Sequence, residues 1–485
     1  MRALNLKKVC WLIVGCVAVA TSGCTSDDAN DVTKPPELVF RDESVTIRVP
    51  ADTKFAEIWD LTLAEWSGAT GAETNIVTDE SLQGPSQSAD VLVVPLTEIP
   101  RWIEQDQLAP LPTSIRDGSA LKWLDVFYGV REHTSQIAGA PRIVPVSVPI
   151  LVAYYRADLL AAKNLEPPKT WTEYQKLLAT LDEWAPGLTA VEPWSPEWRA
   201  TTFLARAASS AKHPDQLSYE FDIRTGEPLI DSPGFQTALE LVQQAHPYLD
   251  DDVVTYSPED CRRELLAGRA AIGIALESGP NETPLPFGPK GSTSETAIER
   301  AEGIELTIEP LPGSARVYDQ SKSAFQEFPE DRPHRVTLTG FAGSGVAVSK
   351  TAANSQAAWD LALQLSSKDV SQTFPPPLCS PVRESQADMP AIYAGSLLRP
   401  EEQGAWMNAV RTSLSSDQCI TELPLIERDR YRKVLSLELI AMFEGDATPQ
   451  EVLQRVAGEW QSITESLGQE VVRKSYRRGL GFPAP

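Results

Sequence analysis

The chain has few of the residues on which metal sites and covalent catalysis depend. Only four histidines occur in 485 residues, and no two of them stand at the spacing of metal ligands. No CxxC or HExxH motif is present, and Gly343-Ser344-Gly345 does not fit the GxSxG pattern of a nucleophilic serine. We therefore expect a protein that is not an enzyme, with no catalytic residues, no metal and no cofactor.

Positive charge is also scarce. The chain has 43 lysines and arginines against 67 acidic residues, a formal net charge of −24. Such a chain repels phosphate backbones and anionic membrane surfaces, which argues against nucleic-acid binding and against a polybasic membrane patch. Acidic pairs such as Glu401-Glu402 are expected from this composition alone, so they do not indicate a glycosidase.

The apolar run at the N-terminus, Val9 to Ala20, is too short to span a bilayer comfortably. Three basic residues precede it, so residues 1–23 are predicted to be a signal peptide. The run ends in Thr21-Ser22-Gly23-Cys24, which resembles a bacterial lipobox. This predicts lipidation of Cys24 and a flexible tether over residues 24–43, with a cleaved signal that carries no lipid as the alternative.

Cysteine is limited to six residues, and export implies an oxidising compartment. Cys10 and Cys16 leave with the signal peptide, and three cysteines remain beyond Cys24. Cys379 and Cys419 are the candidate disulfide pair. The alternative is that the remaining cysteines are small buried hydrophobic residues.

The first part of the folded chain alternates between strand and helix patterns. Strands are predicted at Ser44–Val49, Ala72–Val77 and Ala89–Val94, with a helix from Phe55 to Gly68 after the first strand. This order predicts a parallel sheet with right-handed crossovers.

A kinked strand lies at the centre of the chain. Ile143–Tyr155 is apolar, β-branched and aromatic, but Pro145 and Pro149 interrupt it, so it cannot pair continuously. Thr170 with Glu173 then forms a capping box at the start of a helix. This order resembles the segment in which bacterial extracellular solute-binding proteins of the maltose-binding type cross between two lobes, and Val336–Ser349 resembles the strand that returns.

Several short motifs resemble, in order, the bacterial extracellular solute-binding proteins of the maltose-binding type (family 1). They are the strand after Gly268, the segments Ile308–Ser314 and Val336–Ser349, Pro381-Val382-Arg383, and Tyr476–Gly481. The resemblance covers about Ser44 to Gly481. It implies an α/β, two-lobed periplasmic-binding-protein type II fold, in which each lobe is a mainly parallel sheet flanked by helices and hinge strands join the lobes.

The resemblance also implies a division of the chain. Residues 44–149 plus about 336–378 would form lobe 1, and residues 150–310 plus about 380–485 would form lobe 2. Residues 311–335 would be a connector or insertion. The implied function is a lipid-anchored, monomeric receptor on the periplasmic side of a membrane, which captures a small polar solute, above all a carbohydrate, for an ABC permease. An exported sensor without transport and a glycan-acting hydrolase are the alternatives.

Ligand-binding residues are nominated by their positions near strand ends and crossings, where ligands of open α/β sheets bind. Each has a structural alternative, such as an exposed turn, lobe core, hinge packing or an internal ion pair. The nominated residues are Asp79, Ser147, Trp194, Glu277, Phe341 and Arg383.

Overall fold

The computed structural model describes residues 39–51, 54–79, 89–278, 300–374, 380–393 and 398–483. Within these ranges no helix is both long enough and apolar enough to cross a membrane. The signal peptide, Cys24 and most of the tether lie outside the described residues.

Strands and helices alternate along most of the chain. The strands are β1 (Ser44–Pro50), β2 (Glu73–Asp79), β3 (Val91–Pro95), β4 (Gln136–Ile137), β5 (Ala140–Pro141), β6 (Val144–Ser147), β7 (Leu151–Arg156), β8 (Thr189–Val191), β9 (Ala270–Leu276), β10 (Leu306–Pro310), β11 (Arg316–Asp319), β12 (Ala324–Glu327), β13 (Thr337–Thr339), β14 (Ser344–Val348) and β15 (Cys419–Thr421).

The α-helices are α1 (Phe55–Thr70), α2 (Ile99–Glu104), α3 (Thr113–Arg116), α4 (Ala157–Ala162), α5 (Trp171–Ala179), α6 (Leu181–Trp184), α7 (Arg199–Ala211), α8 (Pro233–Ala245), α9 (Pro258–Leu266), α10 (Ser355–Leu365), α11 (Lys368–Ser371), α12 (Glu384–Ala387), α13 (Pro390–Tyr393), α14 (Gln403–Leu414), α15 (Arg428–Phe443), α16 (Pro449–Leu467) and α17 (Gln469–Gly479).

Two sheets form the centres of two lobes. The first has the strand order β2-β1-β3-β14-β6, and the second has the order β10-β7-β9-β8. β1 pairs in parallel with β2 and β3, and β8 pairs in parallel with β9. β14 is antiparallel to β3 and β6, and β7 is antiparallel to β9 and β10. The sheets are therefore mixed rather than mainly parallel as expected. The reason is that β14 and β7, which belong to the crossings between the lobes, run antiparallel to their neighbours.

The crossings lie where the sequence indicates them. β6 ends at Ser147 in the first sheet and β7 begins at Leu151 in the second, so Pro149 lies in the link between them. The return strand is interrupted. β13 pairs with β15, and β14 joins the first sheet only after the turn at residues 340–343.

Gly343 makes this turn possible. Its φ is +95°, a conformation that residues with a side chain rarely adopt. A Cβ added here would also overlap the carbonyl oxygen of Ser147. The two crossings are thus in direct contact, which makes them one hinge.

The predicted connector forms a separate small element. β11 and β12 pair as an antiparallel hairpin, with Arg316 opposite Glu327. The chain then returns through residues 328–335, where Ser314 and His334 form an isolated bridge. The polar stretch interpreted as a surface insertion is therefore this hairpin and its return loop.

Candidate functional site

The two lobes meet along a polar seam. Its first side is formed by Leu96, Thr97, Ile99 and Pro100, which follow β3, and its second side by Thr421–Pro424 together with Arg428 at the start of α15. We call these residues the interlobe seam. The cavity between the two sides has a volume of about 10 Å³, so the two sides are in close contact.

Glu422 is the central charge of the second side. Its side chain is fully buried, and its two carboxylate oxygens accept hydrogen bonds from Arg428 and Arg432, each at 3.0 Å. Thr201 of α7 donates a third, also at 3.0 Å. A buried carboxylate needs such partners, since an unpaired buried charge is very costly.

Arg428 connects this cluster to the first side. Its side chain is 7% exposed, and its Nη2 donates to Glu422. Burial lowers the pKa of its guanidinium, while the neighbouring Glu422 acts in the opposite direction. Within the described part of the chain, its Nε has no hydrogen-bond partner. Arg428 therefore has donor capacity that the protein does not use.

Glu98 stands on the first side of the seam. Burial raises the pKa of its carboxyl, and the Arg101 guanidinium at 2.8 Å opposes this shift. From the other lobe, Asp429 raises the pKa of Glu98 and Arg428 lowers it. Carboxylates and guanidinium groups thus lie on both sides of the seam, and these are the planar hydrogen-bonding groups that suit hydroxyl-rich solutes.

Two of the nominated residues come together at the hinge. Ser147 is 2% exposed and its hydroxyl accepts a hydrogen bond from the Ser380 amide at 2.9 Å. Glu277 is 1% exposed and accepts from the Ile150 amide at 2.8 Å. Burial raises the pKa of Glu277, while hydrogen bonds from Ser380 and Ile150 lower it. The structure therefore places both residues in a buried polar cluster that holds the crossing strands.

Trp194 and Phe341 lie in the hydrophobic core of the second lobe. Both are fully buried. The Trp194 ring packs edge-on against Phe443 at 5.0 Å and its Nε1 donates to Glu192 at 3.0 Å. Phe341 packs against Trp198 at 5.8 Å. Both side chains therefore contact the protein interior, as in the structural alternatives to ligand binding.

Arg383 is buried away from the seam. Its guanidinium donates to the carbonyl oxygens of Leu121 at 3.0 Å and Ser366 at 3.4 Å. These contacts tie segments of the first lobe together. Asp79 is the last residue of β2, at the edge of the first sheet, where its backbone pairs with Pro50.

The cysteine predictions have no direct outcome. Cys24 and Cys379 lie outside the described residues. Cys419 is a buried free thiol that donates to the carbonyl of Ser413 at 3.4 Å. Its pairing with Cys379 stays a prediction. The described residues contain no cluster of three or more His, Cys, Asp or Glu side chains that could hold a metal ion.

Sequence reasoning missed the charged seam residues. Glu98 carried a usable signal, because it follows a buried strand just as Asp79 does. Glu422 follows the short buried strand β15, which the sequence did not predict, and Arg428 and Arg432 carried no signal because only the folded chain brings them to the seam.

Comparison with known proteins assigns the family. A family model described as bacterial extracellular solute-binding protein matches residues 67–374, more than half of the chain. The chain belongs to this family. No curated protein sequence matches it significantly.

Solved structures of solute-binding proteins share the fold. The sugar-binding protein MalE from Xanthomonas citri superposes with a TM-score of 0.62 at 18% identity, and a maltose-bound MalE3 from T. maritima with 0.58 at 17%. An ABC transporter solute-binding protein from Agrobacterium radiobacter K84, in complex with ribitol, gives 0.58 at 17%. In each case the match covers 87% of this chain and 99% of the other. At this identity the likeness establishes the two-lobed fold.

Proposed function

We propose that this solute-binding protein is the receptor of an ABC importer and holds a carbohydrate between its two lobes. The observation that carries the proposal is the interlobe seam. In a member of this family, Glu422 and Arg428 line it from the second side, and Glu98 of the first lobe lies close enough for Arg428 and Asp429 to act on its pKa. The lobes are joined by crossing strands that can act as a hinge.

The chemistry of the seam suits a neutral, hydroxyl-rich solute. Glu422 lines it with a carboxylate, and Glu98 lies beside it. Arg428 lines it with a guanidinium whose Nε has no partner among the described residues. Charges of both signs are present, so the seam favours neither an anion nor a cation. Hydroxyl groups can donate to the carboxylates and accept from the guanidinium.

Solute entry requires the lobes to separate. A cavity of about 10 Å³ holds at most about one water molecule. The proposed cycle is therefore an open form that admits the solute and a closed form that encloses it. The contact between α2 and α17, with Glu104 and Arg478 at 3.6 Å, would break and re-form in this cycle.

The remaining parts of the proposal concern location and partners. We propose export, cleavage before Cys24, lipidation of that residue and a monomeric receptor that docks on the permease. The ligand contacts nominated from the sequence, Asp79, Ser147, Trp194, Glu277, Phe341 and Arg383, stay predictions, and none of them lines the seam cavity. Their burial supports positioning roles for those whose side chains are described. The lobe boundaries given by the resemblance stay a proposal.

A thermal-shift screen tests the proposal. The chain from residue 24, with Cys24→Ser to keep it soluble, is screened against neutral mono- and oligosaccharides. A sugar at 100 times its dissociation constant should stabilise the fold by about 2.7 kcal/mol. Glu98→Gln should weaken the response to that sugar, and Glu401→Gln, an exposed acid outside the seam, should not. A screen in which no sugar stabilises the chain contradicts the carbohydrate assignment.

A further inference from the structure

A second cavity lies in the second lobe, apart from the seam. Its volume is about 340 Å³, and it is bounded by the start of β7, the end of β10, β13, α7, α14 and the return loop of the β11–β12 hairpin. It shares no lining residue with the interlobe seam. Small-molecule pockets span about 300–1,000 Å³, so this cavity can take a compact ligand. We call it the hairpin cavity.

The lining of the hairpin cavity is unusual for so acidic a chain. Arg332, His334 and Arg335 line it, and none of its described lining residues is Asp or Glu. The formal net charge of the whole chain is −24. Glu309 lies beside Arg335 but does not line the cavity. The cavity thus offers cationic donors and no lining carboxylate that would repel an anion.

The guanidinium of Arg335 has a hydrogen-bond donor that the described residues do not use. Its Nη2 donates to the carbonyl oxygen of Lys169 at 3.2 Å. Its Nε donates to no group in the described part of the chain. Burial lowers the pKa of its guanidinium, as expected for a charge that would gain from a bound anion. Guanidinium groups bind carboxylates through paired hydrogen bonds.

The rest of the lining is largely apolar, with a few neutral polar groups. Thr412, Ser413, Ser416 and Gln418 contribute hydroxyl and amide groups at the end of α14 and just beyond it. The apolar members are Leu151, Ala205, Pro310, Leu311, Phe328, Pro333, Val336 and Leu338. Most of the surface therefore suits a hydrocarbon body, and the arginines suit a negatively charged head.

The hairpin insertion builds one wall of the cavity. Phe328 and His334, both in the return loop, pack with ring centres 5.4 Å apart. The His334 Nε2 lies 2.8 Å from the carbonyl oxygen of Lys212, which fixes the loop on the end of α7. Arg332, on the same loop, is 83% exposed, so the cavity opens to solvent there.

We propose that the hairpin cavity is a second binding site, for a small carboxylate with a compact apolar body, whose carboxylate is bound by Arg335. The site is independent of the interlobe seam and of the solute that the seam takes. It gives this receptor a way to respond to an organic anion that it does not transport.

Isothermal titration calorimetry with benzoate tests the site. Benzamide is the control for charge, because it is neutral and has the same shape. Inorganic phosphate is the control for the apolar body, because it is an anion without one. The chain from residue 24 with Cys24→Ser should bind benzoate, and benzamide and phosphate at least tenfold more weakly. Arg335→Gln should weaken benzoate binding roughly ten- to a hundredfold, since it removes a charged hydrogen-bond donor.

Two further variants keep the test decisive. Arg316→Gln makes the same substitution on the hairpin but outside the cavity, so it should leave benzoate binding unchanged. Ala205→Leu fills the cavity from α7 and should abolish binding even if Arg335→Gln fails to fold. The proposal is overturned if benzoate does not bind, if benzamide or phosphate binds as well as benzoate, or if benzoate still binds the Ala205→Leu variant.

Discussion

At the scale of single residues, Glu422 makes the clearest energetic prediction. Glu422→Gln keeps the size of the side chain but removes the charge that pairs with Arg428 and Arg432. Breaking a buried ion pair costs about 3–5 kcal/mol, because the partner charges stay buried without compensation. Urea unfolding should show a loss of this size, and Glu401→Gln should show none. Equal stability of the two variants would contradict the structural assignment of the cluster.

His334 predicts how stability depends on pH. Burial lowers the pKa of its imidazole to about 4, from an ordinary value of 6.5. Between these values the unfolded chain binds the proton and the folded chain does not, so the free energy of unfolding falls as the pH is lowered through this window. His334→Gln should make that fall shallower in urea unfolding at several pH values. If the free energy of unfolding depends on pH in the same way in the parent protein and in His334→Gln, the prediction is contradicted.

The nominated residues show where sequence reasoning stops at this scale. Ser147 is predicted at a lobe crossing and Glu277 after the strand that begins at Ala270, and the structure brings both into the hinge cluster. Trp194 and Phe341 follow strand ends as ligand residues do, but α15 and α7 bury them. Their burial depends on helices distant in sequence, so no local pattern could reveal it.

At the scale of elements, the helix caps were readable because capping is local. Thr448 caps α16 by accepting a hydrogen bond from the Glu451 amide at 3.3 Å. The capping box at Thr170 and Glu173 is confirmed in the same way. The break in the return strand lies at Gly340-Phe341-x-Gly343, a turn that the glycines indicate, but the contact between Gly343 and Ser147 could not be read from the sequence.

Removal of the α16 cap gives a prediction with a control on the same helix. Thr448→Ala should cost about 1 kcal/mol of stability, because the helix amides lose their acceptor. Ser462→Ala changes an exposed side chain that bonds only within α16, to Gly458, so its effect should lie within about 0.5 kcal/mol. Thermal unfolding measures both. A Thr448→Ala variant no less stable than Ser462→Ala would show that the cap contributes nothing.

Two glycines make opposite predictions for the same substitution. Gly343→Ala should destabilise the chain by more than about 1 kcal/mol, because the left-handed conformation disfavours a Cβ and Ser147 occupies its space. Gly458→Ala, inside α16 with nothing near its added Cβ, should stabilise it by about 0.5–1 kcal/mol. If the denaturation midpoints of both variants lie above that of the parent protein, or both lie below it, this account is refuted.

At the scale of the whole molecule, the sequence predicted the two-lobed α/β architecture through the order of its motifs. The family match and the shared fold confirm it. The mixed strand directions and the charged seam were not predictable, because both arise only when the chain has crossed between lobes. The central claim is that these lobes close on a solute.

The most direct test of that claim is an interlobe distance measured by pulsed electron paramagnetic resonance. Spin labels at Leu61 of α1 and Leu437 of α15, both exposed, report on the two lobes. Cys24 and Cys379 are replaced by serine, while Cys261 and Cys419 are buried. The account predicts that the sugar with the largest thermal shift converts a broad distribution into one narrow population, the closed form. A distribution that saturating sugar leaves unchanged would contradict it.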